Sequence, residues 1–367
     1  MAYTAKNLRY KRQTSLKEFG DIGQQKLHYS KILVIGAGGL GCPALRYLAG
    51  AGIGTLGIAD HDTVSLSNLH RQILYSTDDV GLSKATRASE LLEAFNPEIE
   101  IIPFNQYLNP ENALSVISQF DVILDGTDNF ASRYMINDAC VLLDKPLVYG
   151  AISRFEGQVA IFNSRAGDAI PVNYRDLFPS PPPENEIQNC AEAGVLGVLA
   201  GIIGTMMANE AIKLITGIGK PLINKLLTYN SLNNQIYELE VQPKAETRTL
   251  IPATATKFEK TNYEWLCSDQ SEQQIDVTSF NNLLNNSSAV FVDVRELNET
   301  PVINEFKHIQ LPLSELMNDL TEINGDIVVL FCQSGKRSLS AAKMLSEHYG
   351  DSKKVYSLQN GIVNWKN

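Results

Sequence analysis

The chain has 367 residues, of which 44% are hydrophobic and 20% charged. This composition is typical of a globular protein with a sizeable core, and the length favours two domains, or one large domain and one small. The formal net charge of −10 argues against a general binder of nucleic acid or anionic membranes, because phosphate binding needs clustered Lys and Arg.

Strand and helix patterns alternate from residue 31 to residue 150. The predicted strands cover residues 31–36, 54–60, 98–104, 121–125 and 146–150, and the helices cover 42–50, 83–95, 110–119 and 133–143. This order predicts a Rossmann-like, doubly wound α/β sheet that is parallel in its first half. Strands at 157–163, 225–229 and 235–240 then follow, with a long proline-containing loop over 164–190 between the first two, and we expect an antiparallel second half.

The chain is predicted to contain two domains joined by a linker. Residues 1–242 form the first, residues 243–270 are a linker with little periodicity, and residues 271–367 form the second. The second domain repeats the α/β alternation on a smaller scale. Its strands are predicted at 289–294, 326–332 and 355–357, and its helices at 279–284, 313–320 and 337–349.

The five cysteines are widely spaced and form no C-x-x-C pair. Free thiols are typical of a reducing compartment, and the N-terminus shows no apolar signal segment, so we expect a cytoplasmic protein. The apolar stretch Ala193–Ala208 is shorter than the roughly 20 residues that a membrane span needs. It is interpreted as a core or subunit-interface helix.

A glycine-rich turn lies between the first predicted strand and helix. It contains Gly36, Gly38, Gly39 and Gly41, and such turns bring backbone amides close to a pyrophosphate at a helix N-terminus. Asp60 ends the next strand, where its carboxylate can accept hydrogen bonds from ribose hydroxyls. The turn predicts a nucleotide site, and both NAD and ATP remain open at this point.

Charged residues beyond the turn favour ATP. Arg71 and Lys84 provide cations, and Asp128 follows an apolar strand. Phosphoryl or nucleotidyl transfer needs cations on the phosphates and a carboxylate to hold Mg²⁺, whereas hydride transfer needs few charges there. These three residues supply both requirements.

Five motifs in unbroken order over about residues 9–240 resemble the MoeB/ThiF family, the bacterial relatives of ubiquitin-activating enzymes. They are R-Y-x-R-Q from Arg9, G-x-G-G-L-G from Gly36, D-x-D-x-V-x-x-S-N-L-x-R-Q from Asp60, G-x-x-K ending at Lys84, and D-x-T-D-N from Asp125. The resemblance implies a dimeric adenylyltransferase. The C-terminal glycine carboxylate of a ubiquitin-like sulfur-carrier protein ending in Gly-Gly would attack the α-phosphate of ATP, giving an acyl-adenylate and pyrophosphate.

The same resemblance implies roles for individual residues. Arg12 would be donated across a homodimer interface to the partner's ATP. The residues that would contact the nucleotide or its Mg²⁺ are the four glycines, Asp60 at the ribose, Asp62, the phosphate-binding set Asn68, Arg71 and Lys84, Gln72, Asn129, and Asp128 as the magnesium ligand. Considered singly, Arg71, Lys84 and Arg12 would be surface charges, and Asp128 would cap a helix.

The first domain departs from the family pattern at two stretches that lack cysteine, and it carries one candidate reactive thiol. Many members of the family hold a structural zinc with two C-x-x-C pairs, but the corresponding stretches here, residues 171–177 and 241–246, contain no cysteine. We therefore expect ATP and Mg²⁺ but no zinc. Cys190 is a candidate for a covalent link to the carrier, although cysteines are often simply buried.

The second domain presents Cys332 between an apolar strand and a helix, beside Lys336 and Arg337. Backbone amides at a helix N-terminus and nearby cations stabilise a thiolate, which suits a sulfur-carrying nucleophile or, with C-x₄-R spacing, a phosphatase. The segments D-V-R-E from Asp293, H-I from His308 and the final G-x-x-x-W from Gly361 resemble a rhodanese domain over about residues 272–366. The resemblance implies a persulfide on Cys332, with Asp293 and Arg295 in a structural pair.

Together these features predict adenylation of a carrier followed by sulfur transfer from Cys332, in a molybdopterin- or thiamine-type pathway. A cysteine desulfurase would be a typical persulfide donor, and no nucleic-acid or membrane partner is expected. The alternatives are an NAD-dependent oxidoreductase, a non-catalytic scaffold, or adenylation of another acceptor such as a peptide or a tRNA base.

Overall fold

The computed structural model describes residues 8–165, 170–181, 194–263, 273–284, 286, 288–317, 320 and 323–365. The chain divides into two compact units, Met1–Cys267 and Ser268–Asn367. The first unit contains an eight-stranded sheet with the order β3-β2-β1-β4-β5-β6-β7-β8. Its strands are β1 (Lys31–Ile35), β2 (Thr55–Ala59), β3 (Glu100–Phe104), β4 (Val122–Asp125), β5 (Leu147–Ser153), β6 (Glu156–Phe162), β7 (Lys225–Asn230) and β8 (Gln235–Glu240).

The sheet confirms the predicted mixture of strand directions. Strands β1 to β5 are parallel, while β6, β7 and β8 pair antiparallel. The inner strands β2 and β4 are buried along their whole length, as expected for strands covered on both faces. The helices of this unit are α1 (Lys11–Thr14), α2 (Gly20–Tyr29), α3 (Gly41–Ala51), α4 (Lys84–Phe95), α5 (Ala113–Ile117), α6 (Phe130–Leu142), α7 (Tyr174–Leu177), α8 (Gly197–Thr216), α9 (Ala245–Arg248) and α10 (Ala255–Glu259).

The apolar helix α8 is long and apolar enough to cross a membrane by length and composition alone. In this structure it packs against α3, β5 and β6, and Leu199, Ile203 and Met207 are buried in the core. Gly204 permits the close approach to α3, because a Cβ there would lie 2.3 Å from the carbonyl oxygen of Leu40. The interpretation as a core helix therefore agrees with the packing.

Residues 243–263, predicted as the first part of a linker, fold onto the first unit. Phe258 is fully buried beside α6, and the Tyr263 hydroxyl donates to Asp138 Oδ2 at 3.0 Å. Asp138 also forms a buried ion pair with Arg175, whose Nη2 lies 2.8 Å from Oδ2. The sequence does not reveal this packing because its apolar residues are isolated and follow neither a helical nor a strand period.

The two cysteine-free stretches named above are joined by hydrogen bonds. Asp176 Oδ1 accepts from the backbone N–H of Lys244 at 3.0 Å and from the hydroxyl of Thr247. The Arg248 guanidinium donates to the carbonyl of Pro171 at 2.7 Å. A carboxylate and an arginine therefore hold α7 and α9 together.

The second unit has a parallel five-stranded sheet with the order β11-β10-β12-β13-β9. Its elements are β9 (Gln274–Ile275), α11 (Val277–Leu284), β10 (Ala289–Asp293), β11 (Ile309–Gln310), β12 (Ile327–Phe331), α12 (Lys336–Tyr349), β13 (Lys354–Leu358) and α13 (Gly361–Trp365). The helix predicted over 313–320 is not formed, since residues 313–317 form turns. Leu316 is nevertheless buried, which explains the apolar signal there.

Candidate functional site

A cavity opens where the carboxyl ends of β1, β2 and β4 meet. Strand order reverses direction on either side of β1, and such a switch point is where open α/β sheets bind ligands. Most of the nucleotide-binding residues predicted from the sequence line this cavity. They are Gly36, Gly38, Gly39, Asp60, Asp62, Arg71, Gln72, Lys84, Asp128 and Asn129.

The glycine turn between β1 and α3 depends on close backbone approach. Gly36 has φ of 90°, and a Cβ on Gly41 would lie only 1.9 Å from the carbonyl oxygen of Gly36. The turn also contacts the loop after β4, because a Cβ on Gly36 would lie 2.9 Å from the carbonyl oxygen of Gly126. Gly41 therefore shapes the turn from behind without lining the cavity.

Asp60 connects the glycine turn with the loop after β2. Its Oδ2 accepts from the backbone N–H of Ala37 at 2.8 Å, and its Oδ1 accepts from that of Asp62 at 2.8 Å. Burial raises the pKa of Asp60, opposed by the Lys84 charge and these two amides. Each carboxylate oxygen retains a second lone pair, so the group can still accept from ribose hydroxyls.

Two cations approach the glycine turn from different elements. Lys84 begins α4, its side chain is only 6% exposed, and its Nζ lies 2.9 Å from Asp62 Oδ2. Arg71 lies against the turn, since a Cβ on Gly39 would be 3.5 Å from Arg71 Cδ. An anion bound at the turn would therefore lie near two positive side chains.

Asp128 and Asn129 lie at the carboxyl end of β4 and play different local roles. The Asn129 side chain caps α6 by accepting from the backbone N–H of Ser132 at 2.8 Å. Within the described part of the chain, the exposed Asp128 carboxylate makes no hydrogen bond or ion pair. Considered singly, Asp128 would be expected to cap this helix, but Asn129 supplies the cap. Asp128 instead faces the cavity.

Sequence reasoning missed Arg133, which also lines the cavity. Its Nη2 donates to the carbonyl of Thr127 at 3.0 Å, and the Thr127 hydroxyl donates to Asp125 Oδ1 at 2.6 Å. Burial raises the pKa of Asp125, opposed by the charge of Arg133. Arg133 therefore supports the loop that presents Asp128. A lone arginine inside a helical pattern gives no sequence signal for this role.

Besides Gly41, the predicted residues Asn68 and Arg12 do not line this cavity. Asn68 ends a short 3₁₀ turn, and its backbone carbonyl accepts from the N–H groups of Arg71 and Gln72, each at 3.0 Å. Arg12 is exposed on the short helix α1, outside the cavity lining of its own chain. Cys190 lies outside the described residues.

Cys332 lies at the turn between β12 and α12 in the second unit, and it is buried. Its Sγ accepts from the backbone N–H of Gly335 at 3.2 Å and from that of Ser338 at 3.4 Å. Near this turn, Asn360 takes a left-handed φ of 60°, which asparagine tolerates. The sulfur therefore lies in a ring of donors at a helix N-terminus.

Two arginine–carboxylate ion pairs lie near the loop that follows Cys332. Arg295 and Asp293 form a buried pair, with Nη2 2.6 Å from Oδ2, which confirms the predicted structural pairing. Arg295 also donates to the Gln333 side chain at 3.4 Å, next to Cys332. On the other side, Arg337 forms a bidentate pair with Glu299, which the sequence analysis missed.

Comparison with known proteins gives the same two-part division. Residues 10–250 match the ThiF family, and residues 276–367 match the rhodanese-like domain. The chain is 40% identical to a Mycobacterium tuberculosis protein named "Probable adenylyltransferase/sulfurtransferase MoeZ", over 97% of this chain and 92% of that protein. It is 45% identical to the sulfur carrier protein adenylyltransferase of Thermus thermophilus, over 73% of this chain and 99% of that protein.

A solved structure also shares the fold of the first unit. The crystal structure of MccB from E. coli superposes with a TM-score of 0.58, covering 66% of this chain and 72% of that one. The two sequences are 21% identical, so this likeness concerns the fold alone.

Proposed function

The chain belongs to the ThiF family and ends in a rhodanese-like domain, and from this premise we propose that it activates a ubiquitin-like sulfur-carrier protein. It is an enzyme that combines adenylyltransferase and sulfurtransferase activity, as its full-length relatives do. The first step adenylates the carrier's C-terminal glycine, and the second converts it into a thiocarboxylate. The activity of these relatives favours adenylation over hydride transfer at the glycine turn.

One observation supports the adenylation step above all. A single cavity gathers Arg71 and Lys84 as cations, and Asp62 and Asp128 as carboxylates, around the glycine turn. This donor set suits a nucleotide triphosphate with Mg²⁺, because the cations neutralise phosphate oxygens and carboxylates are ligands that Mg²⁺ prefers. In this proposal Asp128 holds the magnesium.

The chain's own residues then have separable tasks in the reaction. Asp60 orients the ribose, and Lys84 and Arg71 neutralise the charge that builds on the phosphates as a carrier carboxylate oxygen attacks the α-phosphorus and pyrophosphate leaves. Arg12 acts on the ATP of the partner subunit in a homodimer, consistent with its exposure outside its own cavity. Bound Mg²⁺ supplies Lewis-acid stabilisation of the phosphate oxygens.

In the sulfur step, the terminal sulfur of a Cys332 persulfide attacks the carrier's acyl carbon, and AMP leaves with the electron pair of the broken C–O bond. The resulting acyl disulfide releases the thiocarboxylate when a second thiol attacks the Cys332 sulfur, and Cys190 is the candidate for that thiol. A reductant then restores both cysteines. Carrying both activities on one chain raises the effective concentration of the sulfur donor.

The proposed setting of the reaction follows from the same chemistry. We propose a persulfide donor of the cysteine desulfurase type, a cytoplasmic location, and a carrier of a molybdopterin- or thiamine-type pathway. Five cysteines at wide spacings fit a reducing compartment, which such a persulfide relay requires.

The proposal is tested by mixing the protein with ATP, Mg²⁺ and purified carriers that end in Gly-Gly. We expect one carrier to stimulate exchange of pyrophosphate into ATP and to gain the mass of AMP, measured on the intact carrier. The same carrier lacking its terminal glycine is the matched control and should do neither. No stimulation by any Gly-Gly carrier, with exchange driven instead by a peptide or tRNA, would assign a different acceptor.

A glycine-to-alanine pair tests nucleotide binding at the turn without disturbing the fold. Gly38 lines the cavity, and a Cβ there would meet only the Gln72 amide, at 3.5 Å. Gly38→Ala should therefore unfold at the wild-type temperature but bind ATP at least about tenfold more weakly, because its methyl group enters the phosphate space. Binding is measured by calorimetry.

The second variant of the pair, Gly50→Ala, is the control. Gly50 is exposed in α3, and a Cβ there would meet Phe95 at the same 3.5 Å. This variant should keep both wild-type stability and wild-type ATP affinity. Equal ATP binding by the Gly38 and Gly50 variants would show that the phosphates do not lie on the turn.

A further inference from the structure

The Arg337–Glu299 pair lies beside the thiol that receives sulfur. Arg337 is in the first turn of α12, five residues after Cys332. Its Nη1 donates to Glu299 Oε1 at 2.5 Å, and its Nη2 donates to Oε2 at 2.7 Å. Both ends of the guanidinium fork are therefore bound to one carboxylate, in the geometry that Arg otherwise uses to bind an incoming oxyanion.

The pair is electrically neutral under working conditions. Hydrogen bonds from Arg337 hold the pKa of Glu299 at about 2, so this carboxylate is ionised throughout the neutral range. The pKa of Arg337 is raised, mainly by its hydrogen bonds with Glu299 and also by the nearby charge of Cys332. Arg337 is thus close enough to Cys332 to influence charged groups there, but Glu299 cancels its charge.

The second arginine beside the loop is neutralised in the same way. Arg295 is bound to Asp293 through three hydrogen bonds of 2.6–3.1 Å, and both side chains are buried. The Arg295–Asp293 pair is buried, whereas the Glu299 side chain is 29% exposed. Glu299 is therefore the neutralising group that can be changed with least effect on the core.

We propose that Glu299 is a specificity-determining residue of the sulfur-transfer site, which disfavours small dianionic sulfur donors of the thiosulfate class and leaves persulfides as the favoured class. The inference rests on the proposed function only in taking Cys332 as the residue that accepts sulfur. A dianion approaching a thiolate needs uncompensated positive charge nearby. A persulfide carries at most one charge on its reacting sulfur and needs less.

The two donor classes react by the same exchange and differ in charge. With thiosulfate, the Cys332 thiolate attacks the outer sulfur, the S–S bond breaks, and sulfite leaves with the electron pair. With a persulfide, the thiolate attacks the terminal sulfur and the donor's thiolate leaves, its electron pair coming from the broken S–S bond. Both give a Cys332 persulfide and need no separate oxidant or reductant.

The test compares Glu299→Gln with wild type in the full chain. Thiosulfate and the persulfide of a neutral thiol are used as separate donors, cyanide is the acceptor, and thiocyanate is the product measured. The variant should raise kcat/KM for thiosulfate about tenfold, mainly through KM, because the charge of Arg337 is no longer compensated. Its kcat/KM for the neutral persulfide should stay unchanged.

Glu347→Gln is the matched control. It removes the same charge from an exposed position on α12, ten residues beyond Arg337 and so about 15 Å along the helix. This variant should leave kcat/KM unchanged for both donors. The inference would be overturned if Glu299→Gln left kcat/KM for thiosulfate unchanged or lowered it while kcat/KM for the persulfide stayed at the wild-type value. It would also be overturned if Glu347→Gln raised kcat/KM for thiosulfate as much as Glu299→Gln does. Failure of every donor to load wild-type Cys332 would instead contradict the proposed function.

A salt titration that leaves Glu299 in place covers the case in which Glu299→Gln does not fold. It uses Lys336→Gln, because the exposed Lys336 next to Arg337 is a further cation of this loop. If Glu299 neutralises Arg337, kcat/KM of this variant for thiosulfate should not fall as sodium chloride is raised, because the arginine exerts no net attraction that salt could screen. A steep fall with salt would show that Arg337 is uncompensated and would overturn the assignment.

Discussion

Replacing Asp128 with alanine is expected to lower carrier-dependent exchange of pyrophosphate into ATP by at least about 10³-fold, because the α-phosphate would lose the metal proposed to be bound there. Asp128 faces the cavity, and the helix cap beside it is supplied by Asn129, so removing the carboxylate should leave α6 intact. Exchange of radiolabelled pyrophosphate measures adenylation separately from all sulfur chemistry.

The control is Asp78→Ala, which removes an exposed carboxylate from the short turn Thr77–Asp79 and should retain wild-type exchange. Asp128→Asn keeps the side-chain shape without the charge and should lose most of the activity. Near wild-type exchange in Asp128→Ala would place the metal elsewhere. The group to examine then would be Asp60, His61 and Asp62, whose ligand atoms lie within 4.8 Å of one another.

Cys332→Ser is expected to have the second large effect, in a different step. Thiocarboxylate formation should fall at least about 10³-fold, since the hydroxyl cannot carry a persulfide, while pyrophosphate exchange stays at the wild-type rate. The substitution nearly preserves volume, and serine can accept the hydrogen bonds from Gly335 and Ser338 that now reach the sulfur. Mass spectrometry of the carrier distinguishes carboxylate, adenylate and thiocarboxylate.

Inorganic sulfide provides an internal control for this variant. Hydrosulfide can attack the acyl-adenylate directly and displace AMP, so adding it should restore thiocarboxylate to Cys332→Ser. Cys42→Ser, at a buried cysteine of α3, serves as a second thiol control that should keep sulfur transfer. Unchanged thiocarboxylate formation by Cys332→Ser without sulfide would remove Cys332 from the reaction.

Much of the first unit could be predicted because its site is built at strand ends. Gly36 follows β1, Asp60 follows β2 and Asp128 follows β4, and parallel neighbouring strands bring their carboxyl ends to one edge. Periodicity located these strands to within a residue or two. Spacing along the chain was therefore enough to predict that these groups line one cavity.

Residues whose roles depend on tertiary contacts could not be predicted in this way. Arg133 lies within an ordinary helical pattern, and only its contact with Thr127 reveals that it supports the Asp128 loop. The pairing of Glu299 with Arg337 joins residues 38 positions apart, and neither residue alone indicates the other. Arg12 raises a different problem, since its proposed contribution to the site of a second subunit cannot be derived from one chain's periodicity.

The boundary between the domains shows the same limit and has a practical consequence. Phe258 and Tyr263 lie beyond residue 242, yet they cover the Asp138–Arg175 pair and the surface of α6. A fragment truncated at residue 242 would lose that cover and admit water to an ion pair that is now dry. An expression fragment of the first unit should therefore include residues 243–263. Without them, a low yield of the fragment could be mistaken for a requirement for the rhodanese-like domain.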